Sequence, residues 1–217
     1  MQTERPPAPS SKAIERAMSE FQITLDAEQV KQIQQYTAIL LRWNAKTNLT
    51  AIHDPLEILY RHFCESMLGA IVIPAEKCRL ADVGSGAGFP GLPMKIFRPE
   101  LDLYLIESNL KKATFLTEVV RELGLTGVRV IVSRYEGLSE EVAPLDVVCS
   151  RAVGEFGPFL HWAASPEISV QKVALWIGAE DAERIRRVEG WNWQDLKPIP
   201  RSLRRFILVG DRRTTAE

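Results

Sequence analysis

The first part of the chain carries its apolar positions at a helical period. After Asp26, the positions Val30, Ile33, Thr37, Leu40, Leu41 and Asn44 fall on one side of a 3.6-residue turn, and a short carboxylate before them suits an N-cap. A second start is sharper. In Asp54-Pro55-Leu56-Glu57 a capping Asp is followed by Pro at the first helical position and by Glu three residues after the cap. Leu56, Leu59, Phe63 and Met67 then share a face, and Pro74 stops the element.

From Cys78 the texture changes. Short apolar runs at 79–83, 101–106, 128–132, 145–150 and 173–177 alternate with amphipathic stretches at 90–97, 109–123, 156–164 and 179–188. Gly124 is placed to end the second of these helices. Alternation at this spacing predicts βαβ units and a mostly parallel sheet covered on both faces. Two further strands, at 191–197 and 204–209, have no room for a helix between them, so they pair antiparallel. The chain therefore divides into a polar, Pro-rich tail (1–12), a helical extension (13–75) and an α/β core (76–217).

Composition agrees with a globular fold: 217 residues, 46% hydrophobic and 25% charged. The longest unbroken apolar stretch covers only 67–75, against the ~20 residues a membrane helix needs. The tail has no apolar stretch of the secretory kind. Cys64, Cys78 and Cys149 lie far apart, without a CxxC or His-rich cluster, so neither a disulfide framework nor a metal site is indicated. Buried thiols without a leader suit a reducing cytoplasm.

Charge is uneven. Between residues 184 and 213 nine Lys and Arg face three acids, in a chain whose formal total is −1. A polyanion partner is compatible with such a patch, and so is a solvated surface.

The clearest chemistry lies after the first predicted strand, in Gly84-Ser85-Gly86-Ala87-Gly88-Phe89-Pro90-Gly91. Glycines permit positive φ and close approach of a ligand to backbone N–H groups, here at the carboxyl end of a strand and before a helix. Gly86-x-Gly88-x-x-Gly91 fits a dinucleotide fingerprint, while Gly84-x-Gly86-x-Gly88 fits the loop of S-adenosylmethionine enzymes. Two residues favour the second. Asp82 puts a carboxylate near the loop, able to face the amino group of a methionine moiety. Pro90 lacks the N–H that a phosphate would use. Glu107 ends the second strand, placed to accept ribose hydroxyls.

The segments Trp43-Asn44, Asn48-Leu49-Thr50, Asp54-Pro55, Arg61-His62-Phe63 with Ser66, the glycine loop, Ser133-Arg134-Tyr135-Glu136 and Ser150-Arg151-Ala152 converge. Over roughly residues 25–180 they resemble the bacterial small-subunit ribosomal RNA guanine-N7 methyltransferases, also called glucose-inhibited division protein B. The resemblance implies a Rossmann-like class I methyltransferase: a seven-stranded, mostly parallel sheet with an antiparallel final strand and an N-terminal helical extension. It implies S-adenosyl-L-methionine as donor and 16S rRNA, or the small ribosomal subunit, as acceptor, for a cytoplasmic protein acting as a monomer without metal or membrane.

Carried over by motif, Gly84, Phe89, Tyr135, Glu136 and Arg151 would contact the donor. Asp82, Gly86, Gly88 and Glu107 join them from the loop and spacing arguments. Two departures stand out. The family's fifth strand usually ends Lys-Gly, whereas this one ends Trp176-Ile177-Gly178, so a neighbouring arginine would have to stand in. Glu65 replaces the commoner Asp and keeps the carboxylate.

Guanine N7 carries a lone pair and no proton, so its methylation needs positioning and no general base. Asn44, Asn48, Arg61, His62 and Ser66 are the base-positioning candidates, with Arg151 beside them. Each has a plainer reading: a helix-end cap for Asn44, a satisfied core position for His62, an ion pair to Glu57 or Glu65 for Arg61. The five tryptophans suit core or sheet cover. Lys46, Lys95, Arg98, Lys111 and Lys112 flank the strand ends as candidate RNA cations. A nicotinamide-dependent oxidoreductase and a non-catalytic RNA- or nucleotide-binding module remain as alternatives.

Overall fold

The computed structural model describes residues 7–213 apart from 75, 139–141, 143, 152–153 and 169. Ala152 and the first half of the predicted tail lie outside these. The helix α1 (Ser11–Glu20) starts inside the segment read as tail, because the Ser10 hydroxyl accepts the Ala13 N–H at 3.3 Å and caps it. The helix α2 (Ala27–Thr47) has Asp26 as its cap, and Gln29 closes the box by accepting the Asp26 N–H. Asp54 caps α3 (Pro55–Ile58), which runs through a π-helical turn (Leu59–Cys64) into α4 (Glu65–Val72).

The core follows as β1 (Arg79–Val83), α5 (Gly91–Phe97), β2 (Asp102–Ile106), α6 (Leu110–Glu122), β3 (Val128–Ile131), β4 (Val147–Ser150), α7 (Phe156–Ala163), β5 (Lys172–Gly178), α8 (Ala179–Arg186), β6 (Trp191–Trp193), β7 (Lys197–Pro198) and β8 (Arg205–Arg212). The strand order is β3-β2-β1-β4-β5-β8-β6, with the two-residue β7 paired to β8 off this path. The first five strands are parallel. The strand β8 runs antiparallel to β5, with Gly178 opposite Arg205 and Lys172 opposite Asp211. The predicted run at 191–197 is thus two short strands around an interruption, both antiparallel to β8.

Strand alternation sorts the side chains into two cores. Leu80, Leu103 and Leu105 face α1, α2, α4, α5 and α6. Ala81, Val83 and Ile106 face α7 and α8. The extension therefore shares one continuous core with the sheet, and α2 ends beside the carboxyl ends of the strands. The pairing also divides the basic stretch. Arg201, Arg204 and Arg205 lie at that same end, whereas Arg212 and Arg213 lie at the other. Among the described residues no helix is long and apolar enough to cross a membrane.

Candidate active site

At the end of β1 the backbone turns away from the sheet. The N–H groups of Gly84 and Ser85 both donate to the Ile106 carbonyl at 2.9 and 3.1 Å, and Gly84, Gly86 and Gly88 have φ of +72°, +57° and +85°. A side chain is disfavoured there by φ alone. The three glycines then differ. A Cβ on Gly84 would meet nothing within 4 Å, and one on Gly86 only the Gly84 carbonyl at 3.7 Å, so both leave open space. A Cβ on Gly88 would collide with the Tyr36 hydroxyl and with Leu92. Gly88, predicted to contact the donor, is a packing glycine that seats the loop against α2, where the Tyr36 hydroxyl donates to the Ala87 carbonyl.

Two carboxylates brace the loop. Glu107 accepts the Gly86 N–H at 2.8 Å through one oxygen and the Asn109 N–H at 2.8 Å through the other. Asp82, fully buried, accepts the Gly91 N–H at 3.0 Å. Its Oδ1 has no partner, and desolvation pushes its pKa up to about 7. The amides of Gly86 and Gly91, which a pyrophosphate would need, are thus already bonded to carboxylates that would repel it.

Two hollows open beside the loop, and Gly84 belongs to both. One, about 400 Å³, lies against Val83, Ile106, Ser108, Tyr135 and Glu136. The other, about 380 Å³, is walled by Leu49, Thr50, His62, Gly86, Phe89, Glu107, Lys112 and Arg151. Tyr135 is fixed in the first by edge contact with Phe159, centroids 5.6 Å apart, and by Trp162 at 5.1 Å.

The second hollow depends on the π-helical turn. The Glu65 N–H bonds to the carbonyls of Tyr60 and His62 and bypasses that of Arg61. The freed Arg61 carbonyl accepts from Arg151 Nη1 at 2.9 Å. The same guanidinium reaches the buried Ser66 hydroxyl at 3.4 Å and Glu65 at 3.5 Å. Glu65, only 3% exposed in its side chain, is shared with Arg205, at 2.7 Å. His62 meets the Thr50 hydroxyl through Nε2 at 2.8 Å and leaves Nδ1 without a partner. Desolvation, then Arg151 and Arg61, lowers its pKa to about 3, so it is neutral.

Other predicted residues fall elsewhere. Asn44 is buried away from the hollows. Its amide brackets Thr50, donating to the carbonyl and accepting the N–H, both at 2.9 Å, and so shapes the turn that carries Leu49 and Thr50. Asn48 is exposed at the C-cap of α2 with φ +46° and ψ +51°, the left-handed conformation Asn tolerates. Arg61 pairs with Glu57 at 3.1 Å. Lys95 is buried, donating to the carbonyls of Pro99 and Leu101, and Arg98 bonds the carbonyls of Pro74 and Glu76. Both sit where strands begin, so neither is a cation of this site. All three cysteines are buried, and burial raises their thiol pKa values.

Several site residues escaped the sequence reading: Thr50, the Arg205 partner of Glu65, and Trp176, whose indole donates to the Glu65 carbonyl at 2.8 Å. Among the described residues five buried side-chain polar atoms lack a partner. One of them, His62 Nδ1, belongs to a residue that lines this crevice; Asp82 Oδ1 lies buried beneath the loop, and Arg61, whose Nε is another, lines a separate hollow with Glu57 and Arg205. No group of three His, Cys, Asp or Glu that could hold a metal is found among the described residues.

A glycine loop at the switch between β1 and β4, on this strand order, is the frame of class I methyltransferases. Solved structures agree at the level of fold. A SAM dependent methyltransferase from Aquifex aeolicus matches 76% of this chain and 96% of its own at TM-score 0.59 and 17% identity. TrmK of M. capricolum, in complex with S-adenosyl-homocysteine, matches 70% of each at TM-score 0.55 and 14% identity.

The family is identified by sequence. Residues 29–189 match the model of the family described as rRNA small subunit methyltransferase G, and the chain belongs to that family. Proteins named Ribosomal RNA small subunit methyltransferase G are 41% identical over 150 residues in Roseiflexus castenholzii and 42% over 148 in Pseudomonas aeruginosa. These stretches cover 68% of this chain in both cases. They span 64% of the Roseiflexus protein and 68% of the Pseudomonas one. A third relative, from Desulfitobacterium hafniense, is 40% identical over 59% of its length.

Proposed function

We propose that the chain transfers a methyl group from S-adenosyl-L-methionine to N7 of a guanine in 16S ribosomal RNA. Membership of the family supports the acceptor. The observation that carries the site is the crevice beside two open glycines, walled by Glu107, Phe89 and Arg151, into which buried His62 brings a ring nitrogen, Nδ1, that has no partner. Buried polar atoms in native folds are almost always bonded, so an unpartnered nitrogen at the crevice wall is fitted to a polar ligand.

The residues suit the donor. Gly84 and Gly86 leave room for it over the loop. Each oxygen of Glu107 takes one backbone N–H and keeps a lone pair for a ribose hydroxyl. Tyr135 and Glu136, with Ile106, supply a half-apolar wall for the nucleoside, and Asp82 lies beneath for an amino group. When bound, the donor supplies an electrophilic methyl on its sulfonium.

The chain's own residues then position the base. His62 is neutral and stacked, so it orients a base without exchanging a proton. Arg151 retains donor capacity for the guanine O6 edge while Arg61, Ser66 and Glu65 hold its guanidinium still. Attack by N7 needs no proton removed and no Lewis acid, so neither a general base nor a metal is assigned. Action on ribosomal RNA fits a protein of the cytoplasm, where ribosomes are built.

The test has two arms. S-adenosylhomocysteine at about 100 times its Kd should stabilise the protein by about 2.7 kcal/mol. Labelled donor should methylate 16S rRNA from cells lacking this enzyme, at a guanine N7. A shift with NAD instead, or methyl appearing only on protein, refutes the proposal, and donor binding without transfer leaves a non-catalytic module.

A further inference from the structure

A third hollow, about 590 Å³, lies outside the crevice between the end of α2 and the start of α6, lined by Arg42, Trp43, Lys46, Thr47, Lys111 and Thr114. Its floor is apolar: Trp43 is half-buried, its ring edge-on to Phe115 with centroids 5.7 Å apart. Its rim is cationic. Arg42 is ion-paired with Glu118, but Lys46, Lys111 and the adjacent Lys112 have no carboxylate partner among the described residues. This contrasts with the arginines at the far side of the crevice, where Arg61, Arg201 and Arg205 are each paired with a glutamate. Arg134 and Arg204, also unpaired on this face among the described residues, stand apart from the groove, so this rim is where unpaired cations flank an aromatic floor.

The groove neighbours the methylation crevice. Thr47 lines the groove, and Leu49 and Thr50 of the same turn line the crevice. Lys111 belongs to the groove and Lys112 to the crevice, with Cα atoms about 3.8 Å apart. Adjacent residues of α6 thus line the two hollows, a spacing suited to successive nucleotides of one strand.

We propose that this groove holds the nucleotide neighbouring the target guanosine on the same single strand of RNA, its base against Trp43 and its phosphates between Lys46 and Lys111. The inference rests on the reading of RNA as acceptor. An aromatic floor with a lysine rim is the arrangement that binds single-stranded nucleic acid without demanding a particular base. Arg42, tied to Glu118, keeps the wall in place and leaves the lysines as the phosphate contacts.

The test measures methylation of 16S rRNA lacking the modification, across a series of salt concentrations, by the full chain and its Lys46→Ala/Lys111→Ala variant. Arg187→Ala removes an exposed charge from the other end of the sheet as a control. The double variant should raise the KM for rRNA about tenfold, with its thermal shift in S-adenosylhomocysteine unchanged. Its log–log salt slope should flatten by about 1.4, at about 0.7 per lost contact to a single strand. Trp43→Phe should keep most activity and Trp43→Leu lose affinity for rRNA, melting temperatures verifying that both fold.

A wild type that methylates rRNA while the lysine variant keeps its KM and salt slope overturns the groove alone. A wild type that methylates no rRNA overturns the reading of the acceptor and the groove with it. A glutamate-rich peptide that binds the wild type but not the lysine variant, with rRNA methylation equal in both, assigns the groove to a protein partner and overturns it as well.

Discussion

The imidazole of His62 lies on the ring of Phe89, centroids 4.5 Å apart and planes inclined by 15°. Tyr36 covers the other face of Phe89 at 5.3 Å and 4°, so the three rings form one column between α2, the glycine loop and the π-helical turn. An imidazole in this column is desolvated and faces Arg151 and Arg61, which explains its pKa of about 3. It should show the nitrogen shifts of a neutral ring by NMR throughout pH 5–8. His62→Phe should preserve the column and donor binding while slowing methylation about tenfold to a hundredfold, the scale of a misplaced substrate. Loss of donor binding in that variant would reassign the residue.

Gly86 and Gly88 separate binding from folding. Gly86→Val should abolish the thermal shift in S-adenosylhomocysteine, because its branched side chain projects into open space over the loop. Gly88→Ala should instead lower stability by about 2–4 kcal/mol, from the collision with Tyr36 and Leu92 together with the positive φ. Urea denaturation and ligand titration of both variants check the contrast.

Glu65 is a buried carboxylate between two guanidinium groups, Arg151 and Arg205. Removing one member of such a group leaves charge uncompensated. Glu65→Leu should cost about 2–4 kcal/mol, somewhat below the usual figure for a fully buried pair because Arg205 is partly exposed. Glu65→Asp should retain most of the stability but hold Arg151 less firmly, seen as reduced methylation at saturating donor.

Two groups give opposed pH dependences. His62 has a folded pKa of about 3 against about 6.5 unfolded, so between these values only the unfolded chain is protonated and stability rises with pH. Asp82 has a folded pKa of about 7 against about 3.9 unfolded, so the folded chain holds the proton and stability falls as pH rises through that window. Between pH 4 and 6.5 the two slopes cancel. Relative to wild type, Asp82→Asn should gain stability with rising pH there and His62→Phe should lose it, by up to about 1.4 kcal/mol per pH unit. Urea midpoints at pH 4.5, 5.5 and 6.5 measure both signs.

Much of the fold was legible because its signals are local. The strand at 79–83 coincides with β1, and the caps at Asp26 and Asp54 stand where short polar side chains precede apolar periodicity. The glycine loop was legible for the same reason. What could not be read depends on distant partners. Gly88 looks like its neighbours until Tyr36, 52 positions away, is seen against it. Lys95 counts as a surface charge until its amine is found on the carbonyls of Pro99 and Leu101. The Glu65–Arg205 pair joins residues 140 apart and follows from β8 running beside β5. At the end of β5, where the resemblance leads one to expect a lysine, Arg205 of β8 stands opposite Gly178.

The π-helical turn between residues 59 and 64 makes the chain wind more slowly for one revolution. Everything before it and everything after it is phased to that extra residue. Excising one position, such as Tyr60, would let the segment relax to an ordinary coil pitch and change the direction His62 takes relative to Ser66 around the axis. The carbonyl that now anchors Arg151 would return to its own helix. Such a shortened chain would keep the hollow beside Tyr135 and loosen the guanidinium beside His62, so that one half of the crevice would be dismantled with the sheet left whole.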